Sequence, residues 1–172
     1  MTKTIESVRG LATGPDAAAF RDAMAQVASA VHVVTTMGSA GRAGLTATAV
    51  ASVSDSPPMV LACIEARSRT LAAIRANGIF CINTLSGDDS DLAEIFASRR
   101  GIEGEARFTS ERWGTQATGA PVLEGAVAAF DCRLVAIHEA ASHRILIGEV
   151  VGLGAGAPGS GLIYRGRRFE AI

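Results

Sequence analysis

The feature that most constrains the fold is a series of short segments rich in β-branched and other apolar residues. Turn residues separate these segments from one another. Clear cases are residues 31–36, 59–64 and 79–85, and each borders a stretch that contains Gly, Pro or Ser. Segments of this kind are typical of β-strands. Helical patterns occur between some of them, but strands and helices do not alternate regularly. The sequence therefore predicts a mainly β protein with an antiparallel barrel, in preference to a doubly wound parallel sheet.

Further strands and three helices complete the predicted element order. The further strands span residues 45–54, 126–138, 145–153 and 162–164, and the predicted helices begin at Asp16, Ser68 and Asp88. In the first helix, Phe20, Met24 and Val27 recur at helical spacing, so this face is expected to pack against the core. The second helix is expected to stop at Asn77-Gly78. Residues 99–119 show no clear period and are expected to form an exposed connection.

Length and composition fit one domain with surplus apolar surface. The chain has 172 residues, of which 48% are hydrophobic and 19% charged. A chain of this length can bury a core without disulfides or a structural metal. Residues 1–15 are expected to form a flexible N-terminal arm, which leaves residues 16–172 as the domain. The apolar surplus predicts a subunit interface, a ligand cavity or both.

Charge and cysteine usage argue against several classes of protein. The formal net charge is -1 and the basic residues are scattered, so neither nucleic acid nor an anionic membrane is an expected partner. No apolar stretch approaches the ~20 residues of a membrane helix, and the polar first residues do not resemble an export signal. The three cysteines, Cys63, Cys81 and Cys132, stand singly in apolar runs. This pattern predicts buried, reduced thiols and a cytoplasmic protein.

The sequence contains the glycine pattern of one nucleotide-binding motif but lacks the surrounding features that such a motif requires. Residues 154–159 spell G-x-G-x-x-G after a predicted strand. A dinucleotide-binding fold also needs a helix after the glycines and an acidic residue about 20 positions later. The chain ends at Ile172 and Pro158 lacks a backbone donor, so the segment is interpreted as a flexible strand connection.

The segment at residues 45–54 is the most informative for function, because alternate residues of a strand point to opposite faces. Small side chains fall on one face and hydroxyl side chains on the other: Ala47, Ala49 and Ala51, then Thr46, Thr48 and Ser52. So smooth a face leaves room for a flat ring system, whose polar edge backbone amides can reach. The same pattern fits a helix packed closely on small residues. From the residues alone, both interpretations remain open.

An ordered series of motifs runs through most of the chain. It includes Phe20-Arg21-Asp22-Ala23-Met24, Gly44-Leu45-Thr46-Ala47-Thr48-Ala49, Ser52-Val53-Ser54, Pro57-Pro58, Phe80-Cys81-Ile82-Asn83-Thr84-Leu85, Gly119-Ala120-Pro121-Val122-Leu123 and Ile147-Gly148-Glu149-Val150. The series resembles the flavin reductase-like family, the small reductase components of two-component flavin monooxygenases, over residues 20–165. The resemblance implies the FMN-binding split barrel, a mainly β, antiparallel Greek-key barrel with a few short peripheral helices, which dimerises.

The resemblance also implies where FMN or FAD would bind. The flavin ring and ribityl chain would lie along Thr46, Ala47, Thr48, Ala49, Ser52, Val53 and Ser54. The wall would be completed by Cys63, Ile64 and Glu65, and the phosphate would be held in part by Ser68 and Thr70. Amides at a helix start bind anions well, and the same two residues also suit a plain capping role.

By the same resemblance, His143 would lie beside the nicotinamide of NADH or NADPH, since it matches a family histidine that follows Gly-Asp. Here Ala141-Ser142 precedes it, and a histidine paired locally at a strand end is the alternative. Tyr164 would flank the ring or close an edge strand. The arginines that would either reach phosphates or lie in a solvated loop are Arg99, Arg100 and Arg107.

The function implied is hydride transfer from NADH or NADPH to FMN or FAD, with reduced flavin passed to a separate monooxygenase. Such transfer depends on positioning, so the absence of an obvious general acid or base is acceptable. No metal is expected, because His32 and His138 match nothing in the family and no metal-type spacing is present. Two alternatives remain: an FMN-retaining reductase of another acceptor, such as a corrinoid cobalt centre, and a non-catalytic flavin-binding module.

Overall fold

A computed structural model of the chain describes residues 14–156 and 159–172. The described helices are α1 (Ala17–Met24), α2 (Arg69–Asn77) and α3 (Ser90–Phe96), with a 3-10 helix at Gly104–Phe108. The described strands are β1 (Ser29–Ala30), β2 (His32–Thr36), β3 (Ala43–Ala47), β4 (Val50–Asp55), β5 (Pro58–Glu65), β6 (Ile79–Thr84), β7 (Trp113–Thr115), β8 (Pro121–Leu123), β9 (Ala128–Ala140), β10 (His143–Ala155), β11 (Leu162–Arg165) and β12 (Arg168–Ala171). The predicted mainly β, antiparallel fold is confirmed.

The main sheet curls into a barrel because its two edge strands are neighbours in sequence. Its seven strands lie in the order β3-β2-β6-β9-β10-β5-β4, and every pairing is antiparallel. Seven strands laid flat would span about 29 Å between the two edges. Only Thr48 and Ala49 connect β3 to β4, a link that reaches at most about 11 Å. The edges must therefore approach each other, and the line between them is called the seam below.

The apolar residues of the barrel strands alternate between two cores. Val34 on β2 points into the barrel, where it meets Phe80 and Leu146, and α2 covers this cluster with Leu71 and Ile74. The neighbouring side chain, Val33, points outward into a second cluster under α3 and the C-terminal hairpin. This period of two is the strand alternation expected for a sheet covered on both faces.

Helix α2 covers one end of the barrel beside the seam. It begins after Ser68, whose hydroxyl accepts a hydrogen bond from the Leu71 amide at 3.4 Å, and it ends at Gly78 with a φ of 72°. A left-handed residue at this position favours glycine, so the predicted stop at Asn77-Gly78 is confirmed. Its buried side chains include Thr70, Leu71 and Ile74, which fixes its first turn against β3.

Two expectations about individual elements were wrong, and a third was incomplete. The single strand at residues 45–54 is two strands, because the chain bends at Thr48-Ala49 and changes its partner from β2 to β5. Helix α1 does not pack its apolar face on this chain, since Phe20, Met24 and Val27 are 58%, 49% and 50% exposed. The connection at residues 99–119 contains a 3-10 helix and β7, which Phe108 and Trp113 anchor to Phe96 through aromatic contacts.

The remaining structural expectations concern the glycine motif, the thiols and membranes. The glycine motif begins in β10, and no helix follows it within residues 159–172. Cys81 and Cys132 are buried as predicted, whereas Cys63 is only half-buried because it lines a cavity. Burial together with the charge of Asp131 raises the pKa of the Cys81 and Cys132 thiols, to about 12 for Cys132. Thiols in this state are unreactive at neutral pH. Within the described residues, no helix is both long and apolar enough to cross a membrane.

Candidate functional site

A cavity of about 710 Å³ opens at the seam, between β3, the end of β5 and the start of α2. This volume lies within the usual range of about 300–1,000 Å³ for small-molecule sites. Ten of the residues expected at the flavin and nicotinamide sites line it: Thr46, Ala47, Thr48, Ala49, Cys63, Ile64, Glu65, Ser68, Thr70 and His143. The fold thus brings together residues that are separated by up to a hundred positions in the sequence.

Several small residues line the cavity along β3 and the bend that follows it, where Leu45 also borders it. Gly44, Ala47 and Ala49 carry at most a methyl group. A Cβ on Gly44 would stand only 2.7 Å from the Phe96 ring, so this position requires glycine. The Thr46 hydroxyl donates a hydrogen bond to the Ala93 carbonyl at 2.7 Å, which fastens β3 to α3. The wall therefore offers a surface that a flat ring can cover.

The first turn of α2 forms a second wall and carries a partial positive charge. Ser68, Arg69 and Thr70 line the cavity at this point, where unpaired backbone amides and the helix dipole favour an anion. The Thr70 hydroxyl donates to the Gly44 carbonyl at 3.1 Å, which ties the helix start to β3. Ser68 serves as the helix cap. The capping interpretation of Ser68 thus holds, and the cap satisfies the Leu71 amide of the first turn.

Two arginines that line this end of the cavity carry no carboxylate partner within the described residues. Arg42 lies over the Phe108 ring, with its Cζ atom 4.7 Å from the ring centroid. Arg107 donates to the Ile102 carbonyl, the Ser98 hydroxyl and the Gly44 carbonyl, at 2.8, 2.7 and 3.3 Å. The sequence analysis singled out Arg107 only within a group of three and did not identify Arg42. A signal for Arg42 was its place in the turn immediately before β3.

The other two arginines of that group lie away from the cavity. Arg99 pairs with Glu94 at 2.9 Å and donates to the Tyr164 hydroxyl at 3.2 Å, while Arg100 pairs with Asp91 at 2.5 Å. Both carboxylates belong to α3, so these ion pairs attach the segment after α3 to that helix. For Arg99 and Arg100, the structure favours the interpretation as an exposed structural loop.

His143 lines the cavity from the start of β10. It is the first residue of β10, and its register partner on β5 is Glu65, so the two side chains share one edge of the site. The Nδ1 atom lies 2.9 Å from the Ser142 hydroxyl, which leaves Nε2 available to a ligand. The side chain is exposed, as a group that meets a dissociable ligand must be.

Four of the expected residues do not line the cavity. Ser52, Val53 and Ser54 lie on β4, beyond the bend, and Val53 is 49% exposed. The Ser54 hydroxyl accepts a hydrogen bond from the Ser56 amide at 3.1 Å. Tyr164 lies on β11 opposite Ser29 and packs beside the Phe169 ring, at 5.2 Å between centroids. The bend at the seam accounts for the first three, because it separates β4 from the cavity wall.

The remaining histidines have no place in this site. His32 is buried on β2, its Nδ1 lies 3.0 Å from the Thr84 hydroxyl, and burial lowers its pKa to about 4. His138 is exposed on β9 and does not line the cavity. Among the described residues, no three His, Cys, Asp or Glu side chains are grouped as a metal site would require.

Comparison with known proteins places this geometry in a family. The family model described as "flavin reductase like domain" matches residues 24–172. A protein of Ancylobacter novellus named "FMN reductase (NADH) RutF" is 49% identical over 153 residues, which make up 89% of this chain and 83% of that protein. One of Methylorubrum extorquens, named "FMN reductase (NADH) RutF 2", is 49% identical over 156 residues, 91% of this chain and 90% of its own.

Solved structures agree with this placement. The flavin reductase component BorF of a bacterial two-component tryptophan halogenase superposes with a TM-score of 0.85, at 28% identity, over 91% of this chain and 98% of its own. The NADH:FAD oxidoreductase SgcE6 of Streptomyces globisporus, in complex with NAD and FAD fragments, gives a TM-score of 0.83 at 29% identity, over 91% and 93%. The chain belongs to the flavin reductase-like family.

Proposed function

We propose that the protein is an NADH-dependent flavin reductase that transfers a hydride from NADH to FMN. The observation on which this proposal rests is the seam cavity, which small residues, two arginines and His143 line together. Family membership makes the protein an oxidoreductase acting on flavin and a nicotinamide nucleotide. The choice of FMN and NADH within that class is supported by the names of the two relatives that are 49% identical.

The residues present fit a flavin. The isoalloxazine ring is flat and largely apolar, and the methyl side chains of Ala47 and Ala49 leave space in the cavity for one of its faces. The flavin phosphate is an anion, and the first turn of α2 with Arg42 and Arg107 supplies the matching charge. We therefore propose that the phosphate lies near these arginines and that the ring lies along Ala47 and Ala49.

When bound there, flavin supplies the hydride-accepting chemistry, and the chain's own residues provide position and surroundings. The Gly44, Ala47 and Ala49 wall excludes water from one ring face. Ser68 caps α2 by accepting a hydrogen bond from the Leu71 amide at 3.4 Å, and Thr70 ties the first turn of α2 to β3 by donating to the Gly44 carbonyl at 3.1 Å. His143 offers Nε2 as a hydrogen-bond partner for the nicotinamide side. Bringing two rings into contact in this way lowers the entropy cost of transfer.

His143 is expected to position NADH without taking part in bond breaking. The His143→Ala variant should lower kcat/KM for NADH about 10-fold, which corresponds to one hydrogen bond, while FMN affinity stays within about twofold. Steady-state kinetics at saturating FMN measure this effect, and His138→Ala, an exposed histidine outside the cavity, serves as the control. Full activity of His143→Ala at limiting NADH would exclude the assignment.

The partners and location proposed for the protein go beyond the family. We infer that it is a homodimer, because α1 exposes Phe20 and Met24 and the turn after it exposes Val27, all of which this chain leaves uncovered. We also infer that it acts in the cytoplasm and delivers reduced flavin to a separate oxygenase component. The inference of an oxygenase is supported by the description of BorF as one component of a two-component system.

An anaerobic titration tests the proposed activity directly. Purified protein is mixed with FMN, FAD or no added flavin, and NADH or NADPH is added while the visible absorbance of oxidised flavin is followed. Rapid, complete loss of that absorbance in excess free FMN with NADH is expected. Tightly retained flavin with slow reduction of added FMN would favour another acceptor, such as a corrinoid cobalt centre. Flavin that binds but never bleaches would indicate a non-catalytic flavin-binding module.

A further inference from the structure

A carboxylate that lines the seam cavity has no ionic partner. Among the described residues that border the cavity, Glu65 is the only one with a carboxylate side chain. This side chain is exposed and forms no ion pair with any described residue. Arg67 follows two positions later and is also exposed, yet the two do not pair. A group that can only accept hydrogen bonds is therefore available to a ligand in this cavity.

The first two residues of β10 lie opposite different carboxylates. Arg144 is the register partner of Glu139 on β9 and pairs with it at 3.2 Å. His143 is the register partner of Glu65 on β5, and both of these line the cavity. Neighbouring residues of a strand point to opposite faces of the sheet. The charge of Glu139 is thus neutralised on the other face, while Glu65 stays free beside His143.

Main-chain hydrogen bonds fix the backbone of Glu65 relative to that of His143. The Ala66 amide donates to the Ser142 carbonyl at 2.9 Å, and the Ser68 amide donates to the Glu65 carbonyl at 3.0 Å. Directly opposed residues of antiparallel strands place their Cβ atoms about 4.5–5.5 Å apart. The two side chains therefore enter the cavity from a fixed backbone at a defined spacing.

The free atoms of these two side chains are complementary to each other. The His143 Nδ1 atom lies 2.9 Å from the Ser142 hydroxyl. When that hydroxyl donates to Nδ1, the neutral ring carries its proton on Nε2, which can then donate to a ligand. The Glu65 carboxylate can only accept. One donor and one acceptor side by side match a primary carboxamide, whose carbonyl oxygen accepts and whose NH2 group donates.

We propose that Glu65 and His143 together bind the carboxamide group of the nicotinamide ring, with Glu65 as the specificity-determining residue. Glu65 accepts a hydrogen bond from the carboxamide NH2 group, and His143 Nε2 donates one to the carboxamide oxygen. The two bonds fix the rotation of the ring in its plane and thereby the position of the carbon that carries the hydride. The proposal rests on the proposed function, because it assumes that a nicotinamide nucleotide enters the seam cavity.

A coenzyme analogue tests the carboxamide contact. In acetylpyridine adenine dinucleotide, a methyl group replaces the NH2 group and the carbonyl oxygen is kept. The value of kcat/KM at saturating FMN is measured with NADH and with the reduced analogue. Glu65→Ala should lower it about 10- to 100-fold for NADH, because a hydrogen bond to a charged group is lost, and leave it within about twofold for the analogue. His143→Ala should lower both values about equally, since both nucleotides keep the carbonyl oxygen.

Direct binding gives a second measurement, which does not depend on turnover. The dissociation constants of NAD+ and of the oxidised analogue, obtained by isothermal titration calorimetry, should change in the same pattern. Glu65→Gln keeps an acceptor oxygen without the charge, so it should recover part of the loss. Glu105→Ala removes an exposed carboxylate that does not line the cavity, and it is the matched control for net charge.

Three outcomes separate this proposal from its alternatives. Equal losses for NADH and the analogue in Glu65→Ala would overturn it, because the NH2 group would then make no difference. Weaker FMN binding with unchanged discrimination between the nucleotides would also overturn it and assign Glu65 to the flavin. A wild-type chain that reduces no flavin with NADH would instead refute the proposed function. Both side chains are exposed, so neither substitution removes core packing, and thermal unfolding checks that the variants stay folded.

Discussion

Burial gives the histidines of this chain different chemistry. His32 is buried beside Thr84 and its pKa falls to about 4, whereas His143 is exposed at the mouth of the cavity. A buried neutral imidazole resists protonation because the charged form loses its hydration. The sequence supported a structural role for His32 only by exclusion. The position of His32 on a strand covered on both faces gives the physical cause.

The stability of the protein should depend on His32 between pH 6.5 and about 4. In that interval the unfolded chain binds a proton at His32 and the folded chain does not, so the unfolding free energy falls as pH falls. The contribution is about 3 kcal/mol. We expect His32→Gln to lose this part of the pH dependence in urea unfolding at pH 7.5, 6, 5 and about 4. The exposed His138→Gln is the control, and an unchanged slope in His32→Gln would contradict the assignment.

Three arginines show that the sequence predicts candidate phosphate-binding residues but does not distinguish which of them reaches the cavity. Arg99, Arg100 and Arg107 look alike in the sequence, yet only Arg107 reaches the cavity. The difference arises because α3 supplies Glu94 and Asp91 to the first two, while the 3-10 helix carries Arg107 back to β3. Such a distinction depends on tertiary contacts, so local composition could not reveal it.

The elements were predictable where local pattern decides them. The capped helix α2 and strands such as β6 agree with prediction because caps, glycine stops and strand residues act over a few positions. The segment at residues 45–54 has continuous strand character, yet the chain bends at Thr48-Ala49. The bend is set by closure of the barrel, since β3 pairs with β2 and β4 pairs with β5. Strand propensity carries no information about such a change of partner.

The bend predicts opposite effects for two neighbouring alanines. Ala49 lines the cavity, whereas Ala51 is exposed on β4 outside it. The Ala49→Leu variant should weaken FMN binding about 10-fold, because the larger side chain occupies the space of the ring. The Ala51→Leu variant should leave FMN binding unchanged.

Fluorescence titration with FMN measures both affinities, and thermal unfolding checks that both variants stay folded. Similar affinities for the two variants would show that the ring does not lie along this part of the seam. If the unbroken strand of the original prediction were correct, both alanines would face the same side and both substitutions would weaken binding.

The molecule as a whole has more apolar surface than one chain covers. The first helix was expected to pack on its own core, but Phe20, Met24 and Val27 remain exposed and α1 contains no buried residue. The apolar composition predicted a subunit interface, a ligand cavity or both. The cavity is present, and the face of α1 is the surface that we infer a second copy covers. Helical periodicity identified the apolar face correctly, but it could not identify the chain on which that face packs.

Substitutions on α1 should therefore change the oligomeric state. We expect the wild-type chain to sediment as a dimer, and Phe20→Ser with Met24→Ser to shift it toward monomer, because burial of two large apolar side chains is lost. The matched control is Ala18→Ser on the opposite face of the same exposed helix. Analytical ultracentrifugation at several concentrations measures the shift. A wild-type monomer, or an unaffected dimer in the double variant, would refute this interface.

The seam links flavin binding to the stability of the closed barrel. Strands β3 and β5 bound the cavity, yet no ladder of hydrogen bonds joins them in the main sheet. A flavin bound between them would link the two strands reversibly, and its binding free energy would add to the resistance of the barrel to opening. If the flavin leaves after each reduction, the barrel would then loosen at the seam, where only the Thr48-Ala49 bend and its hydrogen bond to Cys63 connect strands that the main sheet does not pair.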